Sequence, residues 1–235
     1  MNKKVFDTPQ AVAEGFAADF VALVNAHDSL TVALSGGSTP KILFDLLAEK
    51  HADLSWNKVH FYWGDERCVP PNDAESNYKM TVDHLLSKID IPEGNIHRVK
   101  GELDPTEETK AYGEQIDQNL PAANGLPQFD LVILGMGGDG HTASIFPHEI
   151  ELLNEENTCA LATHPESGQK RVTLTGGVIN NAKNICFLVT GAGKTEKVDE
   201  IFHQSGDWKS YPASYIKPAE GALTWYMDEA AAAKL

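Results

Sequence analysis

Short apolar runs alternate along this chain with longer segments of helical period. The runs Thr31–Leu34, Val59–Trp63, Ile96–Val99, Phe129–Leu134, Arg171–Thr175, Ile185–Thr190 and Ala222–Tyr226 are rich in β-branched, aromatic and other apolar residues and predict strands. Stretches such as DLVILG and ICFLVTG are apolar on both faces, as central parallel strands covered by helices must be. Between them helix starts are readable. Thr8-Pro9 offers an N-cap followed by proline, and Val12, Phe16, Phe20 and Leu23 then recur at helical spacing. Thr39-Pro40 repeats that signal ahead of Leu43, Leu46 and Leu47, and Asp104-Pro105 with Glu107 reads as a variant capping box before Tyr112 and Ile116. Alternation of this kind predicts an α/β fold, a three-layer α/β/α sandwich around a mainly parallel, Rossmann-like sheet. No long linker interrupts it, so residues 1–235 read as a single domain.

Composition narrows the function. Of 235 residues, 34 are Asp or Glu and 19 Lys or Arg, a formal charge of −15. An acidic balance argues against nucleic acid as a partner, and no apolar run is long enough to span a bilayer. The opening MNKKVFDTPQ has no apolar stretch behind its lysines and does not read as a secretory signal, so a cytoplasmic protein is expected. Cys68, Cys159 and Cys186 are far apart and form no CxxC pair, so reduced thiols are expected rather than a disulfide framework or a thiolate metal site. The nine histidines form no HExxH or HxH, and nothing in the pattern points to a metal. Charge also sets a problem: a chain this acidic repels anions on average, so any anionic substrate needs a local basic site.

Glycine placement suggests where that site lies. Three clusters follow predicted strands directly: Ser35-Gly36-Gly37-Ser38-Thr39-Pro40, Gly135-Met136-Gly137-Gly138-Asp139-Gly140-His141 and Gly191-Ala192-Gly193-Lys194-Thr195. Glycine at a strand-to-helix turn lets backbone approach a ligand, and free N–H groups with the helix dipole favour an anion, here a phosphate. Gly135, Gly137 and Gly140 fit GxGxxG, but Pro147 is expected to end the following helix after barely two turns, and no acidic ribose ligand follows at the required distance. Gly191–Thr195 resembles the end of a P-loop whose first glycine would fall at Leu188, inside a strand. What survives is Lys194 as a point charge at a helix start.

Catalytic candidates stand beside these loops. VHFYW runs into Gly64-Asp65-Glu66-Arg67, three charges at the end of a strand expected to be buried. Arg67 brings positive charge to an acid, and Asp65 can orient a partner or move a proton. His141, close to Asp139, suits general-base work, with the carboxylate fixing its tautomer. The other histidines lack a comparable setting and read as structural.

In order and spacing, VALSGGSTP, FYWGDERCVPPNDAESNY and FDLVILGMGGDGHTASIFP resemble the signatures of the 6-phosphogluconolactonases, and the match extends through VTLTGGVIN and FLVTGAGK over nearly the whole chain. The related glucosamine-6-phosphate deaminases share the sandwich but carry a glutamate in a stretch like DGHIAFNEP. Here Asp139–Pro147 lacks it, which favours the lactonase over an amino-sugar isomerase. The resemblance implies that Ser35, Gly36, Gly37, Ser38 and Thr39 bind a substrate phosphate, completed by Arg171 and Lys194. It implies further that His141 is the base, oriented by Asp139, and that Arg67 lies near the sugar acid or developing oxyanion. The implied partner is a small phosphorylated sugar lactone, with no cofactor or metal, in a monomer or small homo-oligomer. A δ-lactone is an activated ester, and no serine sits in a GxSxG elbow, so direct water attack is expected. A non-catalytic sugar-phosphate-binding protein would need the phosphate loop but not His141.

Overall fold

The computed structural model describes residues 2–218 and 220–235. Among them the elements run β1 (Asn2–Phe6), α1 (Pro9–Ala26), β2 (Leu30–Leu34), α2 (Ser38–Lys50), β3 (Val59–Trp63), β4 (Asp65–Arg67), α3 (Asn77–His84), β5 (Ile96–His97), α4 (Pro105–Asn119), β6 (Ala122–Ala123), β7 (Leu126–Pro127), β8 (Leu131–Leu134), β9 (Cys159–Thr163), β10 (Lys170–Leu174), α5 (Gly176–Asn180), β11 (Asn184–Val189), α6 (Thr195–His203) and β12 (Ala222–Asp228), with short 3₁₀ turns between them. Thr8 caps α1 by accepting from Ala11 N–H at 3.1 Å, and Asp104 caps α4 by accepting from Thr106 and Glu107 N–H.

Seven strands form one sheet in the order β1-β12-β11-β8-β2-β3-β5, each neighbouring pair parallel. Its central members are buried on both faces, completely in β8 and along all but the first residue of β11, and helices flank the sheet as the all-apolar runs require. On one side Phe16, Phe20, Trp56 and Phe61 touch ring to ring, locking α1 to the layer beneath. No helix of the described residues is long and apolar enough to cross a membrane. Cys159 and Cys186 are buried and Cys68 half-buried as free thiols, and burial pushes the Cys68 thiol up to about 11.

The topology positions the site. From β2 the chain continues to β3 and β5 on one side, and from β8 to β11 and β12 on the other, so the order reverses between β2 and β8. In an open parallel sheet the crevice beyond the carboxyl ends at such a point takes ligands. Leu34, Leu134 and Val189 end the three adjacent strands there, and each leads straight into one of the glycine clusters.

Three expectations need correction, and one strand was missed. The Arg171 run does not join the main sheet. As β10 it pairs with β9 and β4 in a separate antiparallel sheet, because a tight turn through Pro165–Gln169 folds β9 back on β10 as a hairpin. β1 was hidden from the pattern because it is an edge strand, mostly exposed and carrying Lys3 and Lys4. Helix α2 begins with Gly37 as its N-cap, two residues before Thr39, whose hydroxyl is instead bonded to that of Thr190 at 2.7 Å. Finally, no helix follows Gly140. Ala143 takes a left-handed conformation, φ +48°, that a helix cannot accommodate, and Pro147 opens a 3₁₀ segment instead of ending a helix.

Candidate active site

One cavity of about 240 Å³ opens at the reversal point. Ser35, Gly36, Gly37, Ser38, Thr39, Asp65, Arg67, His141, Arg171 and Lys194 all line it, so ten of the residues singled out in the sequence converge. Asp139 reaches the cavity through His141. Asn77, Met136 and Thr190 line it too and were not anticipated.

The three glycine loops turn out to be unequal. Gly137 N–H is donated to His141 O at 2.8 Å, and Gly191 N–H to both carboxylate oxygens of Asp228 at 2.9 and 3.0 Å. Helices α2 and α6 both begin without a side-chain cap, so the N–H groups of their first turns have no partner within the helix. The Ser35–Thr39 loop runs straight into the longer of the two helices, α2, whose dipole at that end favours an anion.

The histidine is held from several directions. Its Nδ1 lies 2.6 Å from Asp139 Oδ1, and its backbone N–H donates to the same oxygen at 3.1 Å. With Nδ1–H donating to Asp139, the lone pair falls on Nε2. A Cβ on Gly137 would sit 2.2 Å from the His141 Nδ1, so only glycine lets the imidazole lie this close to the loop. The His141 ring also rests on Phe146, centroids 4.8 Å apart, and the Arg171 guanidinium lies over the same phenyl ring at 5.6 Å. One buried ring thus spaces the base from the arginine. Burial pushes the Asp139 carboxyl up, but the hydrogen bond and charge of His141 outweigh this and hold it down at about 2. The sign follows: the stability contributed by ionised Asp139 is complete above the ordinary aspartate value of about 4 and disappears as pH falls toward about 2. Asp139→Asn is expected to unfold more easily than the parent at pH 6, with the difference closing by pH 2 in denaturant titrations. A difference unchanged across that range would contradict the pairing.

Positive charge collects opposite this base. Arg171 and Arg67 face each other in register across β10 and β4, an arrangement unfavourable for like charges. Burial and then the neighbouring Arg67 pull the Arg171 pKa down, and burial does the same to Lys194. The Nε groups of both arginines are buried without a hydrogen-bond partner. Among the described residues the Arg67 side chain donates only to the backbone oxygen of Glu75, and neither Arg67, Arg171 nor Lys194 forms an ion pair. Three cations left without carboxylate partners in a chain of charge −15 make this cavity locally basic and suited to an anion.

The Asp65-Glu66-Arg67 run separates into three jobs. Glu66, 2% exposed, accepts from the N–H groups of Arg67, Asn77 and Tyr78 and from Ser76 Oγ, anchoring the start of α3. Asp65, 6% exposed, accepts from Ser144 Oγ at 2.7 Å and ties the strand that carries Arg67 to the loop that follows His141. Asn77, donating to Asp65 O at 2.9 Å, presses on Gly36, where a Cβ would sit 2.0 Å from its Oδ1. Its place could have been inferred only from the SNY stretch, since its contacts join the start of α3 to β4 and to the loop after β2. Among the described residues no group of three or more His, Cys, Asp or Glu is placed to hold a metal ion. The arrangement sets a histidine with one ring nitrogen held by a carboxylate beside a basic cavity, which can supply a general base next to an anion site.

Comparison with known proteins gives the family. Residues 5–225 match the model of the family described as glucosamine-6-phosphate isomerases/6-phosphogluconolactonase. The chain is 44% identical to a 6-phosphogluconolactonase of Haemophilus influenzae, covering 98% of each chain. It is 45% identical to that of Treponema pallidum over 86% of this chain and 84% of the other. The solved 6-phosphogluconolactonase of Trypanosoma brucei superposes with a TM-score of 0.91 at 31% identity, covering 100% of this chain and 98% of that one.

Proposed function

The chain belongs to the glucosamine-6-phosphate isomerase/6-phosphogluconolactonase family, and from that premise we propose how its cavity hydrolyses 6-phospho-D-glucono-1,5-lactone to 6-phosphogluconate, the lactonase step of the oxidative pentose phosphate pathway. The observation that carries the mechanism is the His141–Asp139 pair opening on the same cavity as three cations without carboxylate partners. The substrate phosphate sits on the Ser35–Thr39 loop and the N-terminus of α2, with Arg171 and Lys194 supplying full charges. Two cations and a helix end suit a dianion even in an acidic protein.

The lactone carbonyl then lies toward His141. Its Nε2 removes a proton from a water molecule as the water oxygen bonds to C1. Negative charge develops on the carbonyl oxygen, and Arg67, whose Nε is buried without a partner, stabilises it. Collapse breaks the bond from C1 to the ring oxygen, which takes the proton back from His141 and becomes the C5 hydroxyl. Asp139 holds the imidazole in the right tautomer and stabilises its protonated form. Asp65 acts through Ser144, keeping strand β4 and the histidine loop at a fixed separation. The reading takes residues 1–235 as one cytoplasmic domain working without cofactor or metal, monomeric or in a small homo-oligomer, with neither nucleic acid nor membrane as partner.

Assaying the purified protein side by side with 6-phosphogluconolactone and glucosamine 6-phosphate tests the assignment. Turnover of the lactone alone is expected, as the stretch Asp139–Pro147 has no glutamate for a ring-opening relay. Turnover of the amino sugar alone would overturn it.

A further inference from the structure

Residues 137–141 pose a mechanical problem. Gly137, Gly138 and Gly140 have no side chains with which to anchor the loop, yet it must hold His141 still. Internally, Gly140 N–H donates to Gly137 O at 3.2 Å and Gly137 N–H to His141 O at 2.8 Å. Those bonds close the loop on itself but do not fix it to the rest of the protein.

The fixture comes from far along the chain. Gly140 has φ +86°, and a Cβ there would sit 2.6 Å from both Cβ and Cγ of Tyr211. The tyrosine, 4% exposed, is thus in closest packing with the residue just before His141. Two residues on, Ala213 N–H donates to Gly140 O at 3.1 Å. The phenol itself is gripped by α6: its hydroxyl donates to Glu200, Lys197 Nζ donates to it at 2.7 Å, and Lys197 also lies over the ring, 4.4 Å from the centroid. Lys194 is the N-cap of the same helix, one turn before Lys197.

We propose that Tyr211 is a positioning residue for His141, the wall through which α6 holds the base loop at a fixed place relative to Lys194. This rests on His141 being the base of the reaction proposed above. Phosphate contact and proton transfer then share one rigid support, so a phosphorylated lactone bound at Lys194 meets a base already in register.

Steady-state kinetics with 6-phosphogluconolactone test it. Displacement of a catalytic group by about 1 Å costs on the order of a hundredfold, so Tyr211→Ala is expected to lower kcat roughly 10- to 100-fold with KM changed by less than about threefold. Tyr211→Phe keeps the ring against Gly140 and under Lys197 and loses only the hydroxyl's bonds to α6, so it is expected to recover most of kcat. Should the alanine variant fail to fold, Tyr211→Met fills similar volume with a flexible chain in place of a rigid ring and is expected to show the same split. Wild-type kcat in a folded Ala or Met variant, or a fall shared equally by kcat and KM, would overturn the proposal. So would a Tyr211→Phe variant as slow as Tyr211→Ala. A parent protein inactive on the lactone would instead overturn the catalytic reading itself, which separates the two failures.

Discussion

Replacing His141 with asparagine is expected to lower kcat for 6-phosphogluconolactone by at least roughly 100-fold, the lower end of what a positioned general base contributes. Asparagine keeps a polar group near Asp139 but has no lone pair of comparable basicity to take a proton from water. Binding should survive if, as proposed, the phosphate is held on the other side of the cavity by the Ser35–Thr39 loop, Arg171 and Lys194. KM for the lactone should therefore stay close to that of the parent, and isothermal titration with 6-phosphogluconate should show product still bound. Hydrolysis at the parental rate would place the base elsewhere. Loss of binding together with turnover would mean that His141 holds the ligand and does not activate water.

Arg171→Ala and Lys194→Ala are expected to act on the opposite parameter. Hydrogen bonds to charged groups are worth about 1.5–3 kcal/mol, so removing either contact to a phosphate should raise KM by roughly 10- to 100-fold. Arg171 should show the larger effect, since a planar fork can engage two phosphate oxygens where lysine offers a point charge. Unphosphorylated glucono-1,5-lactone makes no such contact, and its kcat/KM should hardly change. An equal loss on both lactones would refute the phosphate assignment. Removing Arg171 also relieves the repulsion it shares with Arg67 across β10 and β4, so stability should hold or rise although catalysis suffers.

These effects trace to features that differ in how far a sequence discloses them. The central strands and their glycine loops were readable because the signals are local: an apolar run, then glycine, then a hydroxyl or a charge. That alone brought Ser35–Thr39, His141 and Lys194 to the ends of three strands, and the strand order makes those three neighbours. The Arg67–Arg171 pairing was not readable, because it depends on a hairpin returning β10 beside β4. Glu66 carries the same kind of charge as its neighbour Asp65, and only the folded chain separates a carboxylate that anchors α3 from one that grips Ser144. Tyr211 gave no signal at all, since its contact with Gly140 joins segments far apart along the chain. Failure of the expected helix after Gly140 has a local cause, the left-handed Ala143, that no propensity scale anticipates.

Net charge also changes meaning. Glu102, Asp104, Glu107, Glu114 and Asp117, in and just before α4, are exposed, and the acidic excess there faces solvent. Glu108 is the exception on that helix, buried and accepting from Lys100 N–H at 2.7 Å. The cations that matter are gathered in one cavity, so the average charge of −15 does not describe the field an incoming phosphate meets.

Direct attack of water on the bound lactone is the center of this account, and single-turnover hydrolysis in ¹⁸O-labelled water tests it most directly. With enzyme in excess over 6-phosphogluconolactone, the first-turnover product should carry one ¹⁸O in its new carboxylate, and quenched protein should show no added mass. Unlabelled first-turnover product, or a covalent adduct on the protein, would mean that a side chain and not water attacks C1.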